Sequence, residues 1–248
     1  MQLAGDVILR PGAHLTIQPG TTVRFLPPGG GPGGLTEHPH FPGSELIVQG
    51  RLTAIGTAAA PITFQALDDA APAGSWGAVN FGEGGEGTFR YSIFRHADSA
   101  IHAWNAKVRI EESLLEENLV GIRFNSSRMW IENNLLRNNG TAIRFHFGEP
   151  VVRSNRFEGN QVNLFITSHP RDYLFENNRF GTPLDYQVVL GEEVPEDVQL
   201  ANNDWDGMPA TGVINRVFDG RRSPYIGLVQ VEPVLTAAPD VAGPSWIR

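Results

Sequence analysis

The stretch RMWIENNLLRNNGTAIRFHF, residues 128–147, sets four asparagines, Asn133, Asn134, Asn138 and Asn139, hard against the apolar pair Leu135–Leu136. Asn is a poor strand and helix former and a common turn residue. Recurrence explains its place beside core residues. SIFRHA (92–97), SLLEEN (113–118), NLLRNN (134–139) and NRFEGN (155–160) begin 21 residues apart, and looser copies follow from Asn178 and Asn203 at steps of 23 and 25. The same register aligns Phe89, Ile110, Ile131 and Val152; Ile101, Ile122, Ile143 and Leu164; and Phe94, Leu115, Leu136 and Phe157. Within a repeat, apolar residues alternate with polar ones, as in Ile122/Phe124 and Met129/Ile131, the period of a strand with one buried face.

Each period therefore holds about three short strands separated by turns. One such coil cannot bury its apolar side alone, whereas stacked coils share a continuous core. The expected fold is all-β, a parallel β-helix (solenoid) of about eight coils. Helical repeats of 33 or more residues do not fit a period of 21. The column Ser92, Ser113, Asn134, Asn155, Asn178 and Asn203 is expected to point inward at a bend as a hydrogen-bonded ladder. Asn118, Asn139 and Asn160 form a second column at the next turn, where Asn tolerates left-handed backbone.

The N-terminal third follows the same plan in different words. HLTIQPGTTVRF, LIVQGRLTAIGTAAAPITFQ and SWGAVNF, with a closing segment NNDWDG…INRVFDGRRSPYIGLVQVEPVL, resemble the bacterial right-handed parallel β-helix repeat proteins of the pectate-lyase-like superfamily. The resemblance covers roughly residues 5–236. It implies right-handed coiling and export to the periplasm, cell surface or extracellular space. It says little about activity, because the superfamily includes lyases, hydrolases and adhesins. The start, MQLAGDVILRPG, shows no signal peptide, so the export implied would rest on a signal absent from this chain.

One β-helix domain is expected over 1–248. A loop at 27–43, with six glycines and five prolines, interrupts an early coil, and 206–248 is expected as an end cap. The net charge of −8 argues against a nucleic-acid partner, and no apolar run reaches the roughly 20 residues of a spanning helix. The absence of cysteine excludes disulfides and thiolate metal sites.

On a solenoid, function takes the form of an outward column. Stepping by 21 gives His102, Arg123, Arg144 and Phe165, and beside them Trp104, Asn125, His146 and Thr167, with Asn80 below His102. Arg pairs with carboxylates and Trp stacks on sugar rings, so His102, Trp104, Arg123, Asn125, Arg144 and His146 are the candidate glycan-binding set. A solvated sheet face is the plainer alternative. A second column, Arg95, Glu116, Arg137 and Glu158, alternates in sign and reads as register-fixing ion pairs. Beside it, Ile93, Leu114 and Leu135 form an outward aliphatic stripe, to be covered by a loop, the tail or a protein partner. His38 and His40, as HPH in the glycine-rich loop, could bind copper or zinc with His14 nearby, although two loop histidines are more often incidental.

No catalytic residues are assigned, and no cofactor is expected. Glycoside hydrolysis needs a carboxylate pair, and lyase action of the pectate type needs acidic calcium ligands; neither outward column holds an Asp or Glu. Arg123 or Arg144 is similar to the basic arginine of pectate lyases, but the calcium ligands have no counterpart. The leading expectation is thus an exported, non-catalytic binding or scaffold protein. A carbohydrate-active lyase or hydrolase on the same face is the alternative. A structural subunit of a surface assembly, docking through the aliphatic stripe, is the third.

Overall fold

The computed structural model describes residues 1–26 and 41–247. Three all-parallel sheets run along the stack, and each coil contributes one strand to each in turn. Sheet I holds Gln2–Leu3, Thr22–Phe25, Ile62–Ala66, Ser92–Arg95, Leu114–Glu116, Leu135–Arg137, Arg156–Glu158 and Arg179–Phe180. Sheet II runs from Val7–Leu9 and Leu46–Val48 through Trp76–Phe81, Ala97–Trp104, Val120–Asn125, Thr141–His146, Val162–Ser168 and Tyr186–Glu193 to Val217–Phe218. Sheet III comprises His14–Ile17, Arg51–Ile55, Glu86–Arg90, Lys107–Glu111, Arg128–Glu132, Glu149–Arg153 and Leu174–Glu176. One short helix, Ala210–Ile214, is the only helix among the described residues.

Register explains the core. Ile101, Ile122, Ile143 and Leu164 are direct partners, as are Phe89, Ile110, Ile131 and Val152. Neighbouring strands lie about 4.8 Å apart, so identical rings in register stack face to face. Phe124 and Phe145 do so at 4.9 Å and 2°, and Phe157, Phe180 and Trp205 continue the pattern with centroids 4.4 Å apart.

The corners carry the asparagines. Asn134 N–H and Nδ2 donate to Asn155 Oδ1 (2.9 and 3.0 Å), Asn155 does the same to Asn178, and Asn178 to Asn203. Each Nδ2 also donates across the coil, as Asn134 does to the Ile110 carbonyl at 2.8 Å. Ser113 and Ser92 extend the ladder with hydroxyls in place of amides. Asn118, Asn139 and Asn160 repeat the arrangement at the next corner. These side chains are buried, and the ladder satisfies their polar atoms.

The left-handed turn falls one residue earlier than expected. The positive φ belongs to Asn133 (52°), Asn138 (55°), Ser154 (55°) and Asn177 (54°), each immediately before a ladder residue, and not to Asn139 itself. The left-handed residue reverses the chain direction, and the next side chain is thereby swung into the core.

The C-terminal segment does two things. Val217–Phe218 adds the last strand of sheet II, and Val198–Gln199 pairs with Val229–Gln230 in a separate two-stranded sheet. Further on, Gly243 N–H donates to the Ser154 carbonyl (2.8 Å), Trp246 Nε1 donates to the Glu112 carbonyl (2.7 Å), and the Trp246 ring lies 5.9 Å from that of Tyr91. The tail thus spans the outer side of the sheet I corner over several coils. Leu114 and Leu135 are buried although they stand apart from the interior core, with Ile93 half-buried beside them, and the tail, one of the covers expected for this stripe, passes close to the neighbouring Asn134 and Arg156 at Gly243.

Candidate functional site

The outer face of sheet II brings the predicted residues together. Asn80, His102, Arg123, Arg144 and Phe165 are consecutive register partners, and Trp104, Asn125 and His146 run beside them. Thr167 does not continue the second column. A bulge in the strand Val162–Ser168 puts Ser168 opposite His146, while Thr167 Oγ1 turns back to the Phe145 carbonyl at 2.7 Å.

The lower end of the face is closed. Phe41 packs edge-on against His102 at 5.0 Å, and His102 is 3% exposed with its Nδ1 2.7 Å from Asn80 Oδ1. Above it, Arg123, Asn125, Arg144 and His146 are half-buried. The Arg123 guanidinium lies over the Phe41 ring (5.5 Å), and that of Arg144 over the Phe165 ring (4.8 Å). Stacking of this kind holds the fork flat and leaves its in-plane N–H groups for a planar oxyanion. Burial, and then the neighbouring Arg144, lower the Arg123 pKa from its ordinary value.

Charge pairing separates this face from the other two. On sheet I, Glu116 bridges Arg95 and Arg137 (2.6 Å to the latter), Arg156 meets Glu158 and Arg179 meets Asp206. Glu158 is thereby taken by Arg156, so the expected four-member alternation closes at three. On sheet III, Arg51 pairs with Glu86, Arg109 with Glu111, Arg128 with Glu149 and Arg153 with Glu132. Arg90 rests on Tyr91 instead. Among the described residues, neither Arg123 nor Arg144 has a carboxylate within ion-pair distance, although the Asp98 charge acts on Arg123 from farther off.

Carboxylates absent from the outward columns reach the closed end by another route. Glu45, 1% exposed, lies with Oε1 3.4 Å from Asn80 Nδ2, and its backbone N–H donates to Asp6. Gly77 makes the space: a Cβ there would sit 2.6 Å from Glu45 Cγ. Burial first, and then Asp6, push the Glu45 pKa up to about 8, so the group is a neutral acid at neutral pH. Sequence spacing could not find it, because Leu46 pairs with Val79, a step of 33 (79 − 46) that leaves the 21-residue register.

At the upper end, Ser168 Oγ lies 2.7 Å from His146 Nδ1 and 2.6 Å from Glu193 Oε2. A carboxylate only accepts, so the serine hydroxyl donates to Glu193 and takes its own bond from His146 Nδ1–H. Ser168 is buried with its proton committed to Glu193, so the group orients His146 and is not a serine nucleophile. His38 and His40 lie outside the described residues; His14 Nε2 is 2.9 Å from Thr53 Oγ1 on sheet III.

Residues 75–182 match the family model described as right handed beta helix region. The match and the three all-parallel sheets agree on the fold, a right-handed parallel β-helix of stacked coils. No curated protein and no solved structure matches it.

Proposed function

We propose that this β-helix protein binds an acidic glycan along the outer face of sheet II, without acting on it. The observation that carries the reading is the unpaired stack of Arg123 and Arg144 in a chain of net charge −8 whose other two sheets pair all their arginines except Arg90. Two like charges on neighbouring strands repel, and a bound carboxylate or sulfate relieves that repulsion while completing charge-assisted hydrogen bonds. Trp104 lies half-buried beside Asn125 in the adjoining column. The export implied by the sequence resemblance belongs to the same proposal. An array of neutral, carboxylated and sulfated glycans tests it. Wild type is expected to retain acidic members only, and Arg123→Ala/Arg144→Ala is expected to lose them. Retention of neutral glycans by both proteins would sink the proposal.

A second reading, lyase or hydrolase action, draws on the neutral acid Glu45 and its link through Asn80 to His102. Burial beneath the Phe41 segment keeps these groups away from the half-buried part of the face, which favours binding over catalysis. Release of unsaturated uronate or of reducing ends from an acidic polysaccharide would reverse that preference.

A further inference from the structure

Where sheet II turns into sheet III, a cavity of about 360 Å3 opens on the surface. Asn105 and Ser126, both at positive φ, form its edge toward sheet II, and Lys107, Arg128, Glu149 and Arg171 supply its charged lining. Gly148 lies at its base with φ +99°, packed so closely that a Cβ would come 2.8 Å from the Ser127 carbonyl oxygen and 3.0 Å from the Phe124 ring. Arg171 arrives from the connection after Val162–Ser168, tied down by its backbone N–H to the Gly148 carbonyl at 3.0 Å.

The charges here are unevenly satisfied. Arg51, Glu86, Lys107, Arg128 and Glu149 are consecutive register partners on sheet III. Arg51 takes Glu86 (2.7 Å) and Arg128 takes Glu149 (2.6 Å), which leaves Lys107 between two closed pairs. Among the described residues neither Lys107 nor Arg171 has a carboxylate partner, and both are exposed. The hollow also adjoins the sheet II face: the Ser126 hydroxyl donates to Asn125 Oδ1 at 2.8 Å, and Asn125 stands between Trp104 and His146.

We infer that this corner cavity is a second anionic subsite, holding the carboxylate or sulfate of a sugar unit from the glycan that lies on Arg123 and Arg144. The inference rests on the acidic-glycan reading and adds a direction to it. Outward positions two apart on one strand are separated by about 6.8 Å, so Arg123, Asn125 and then the corner form a path across a coil. The ligand therefore crosses the solenoid axis and bends around the corner.

Calorimetric titration of the full chain with a galacturonate hexasaccharide, a heparin-derived hexasaccharide and cellohexaose tests this. Four proteins are compared: wild type, Lys107→Ala/Arg171→Ala, Arg123→Ala/Arg144→Ala, and Arg10→Ala/Arg90→Ala as a remote change of equal charge. Both candidate pairs are expected to weaken an acidic hexasaccharide at least about tenfold, with the remote pair near wild type and the thermal midpoints unchanged. The two acidic probes show whether carboxylate or sulfate is preferred. If only Arg123→Ala/Arg144→Ala weakens binding, the corner subsite is overturned and the face remains. If only Lys107→Ala/Arg171→Ala does, the corner stands and the face reading falls. Equal loss in the remote pair, or no binding of either acidic probe by wild type, overturns both.

Discussion

Within each corner the structure divides labour between two adjacent residues. Asn138, exposed with φ 55°, supplies the left-handed turn; Asn139 supplies a buried amide that accepts from Asn118 and donates to Asn160 and to the Leu115 carbonyl. Replacing Asn138 by Gly is expected to change stability by less than about 1 kcal/mol, because glycine adopts positive φ freely. Asn139→Gly is expected to cost about 3 kcal/mol or more, since each stranded buried polar group costs about 1–3 kcal/mol. Urea unfolding of the two variants checks this, and equal losses would contradict the assignment. The column itself was legible, because Asn134 and Asn139 recur every 21 residues. Which of two neighbouring asparagines turns the chain was not, because both types favour the same turn chemistry.

The tail is the element whose role the sequence left open. Alternation placed Leu114 and Leu135 outward, and the structure agrees with the period, yet both are buried, with the tail close to the neighbouring Asn134 at Gly243. An aliphatic stripe demands a cover, and only long-range contact specifies which segment provides it. Removing residues 241–248 is expected to expose the stripe, lower stability by roughly 2–4 kcal/mol from leucine burial alone, and raise the fluorescence of an apolar dye. Unchanged dye fluorescence would mean that the tail does not shield the stripe. The same limit hid the cover over His102: Phe41 comes from the end of the 27–43 insertion, outside the repeat register.

For the whole molecule, parallel stacking turns the sequence period into geometry, so columns such as His102–Arg123–Arg144 could be written down in advance. Features that break the period could not: the bulge that brings Ser168 to His146, and the approach of Glu45 to Asn80. Glu45 also makes global stability depend on pH. Its folded pKa of about 8 stands above the ordinary 4.5, so between these values the folded chain holds a proton that the unfolded chain releases. Its contribution therefore falls as pH rises through that window and levels off above it. Glu45→Gln is expected to flatten the decline in urea midpoint between pH 5 and 8; parallel profiles for variant and wild type would show that Glu45 is not its source.

Loss of acidic-glycan affinity on removing the unpaired arginines tests the central claim most directly. Galacturonate hexasaccharide is titrated into wild type and Arg123→Ala/Arg144→Ala at one ionic strength, with cellohexaose as the neutral control. The account predicts binding of the acidic ligand alone, weakened at least about tenfold in the variant. Equal affinity in the two proteins would contradict it.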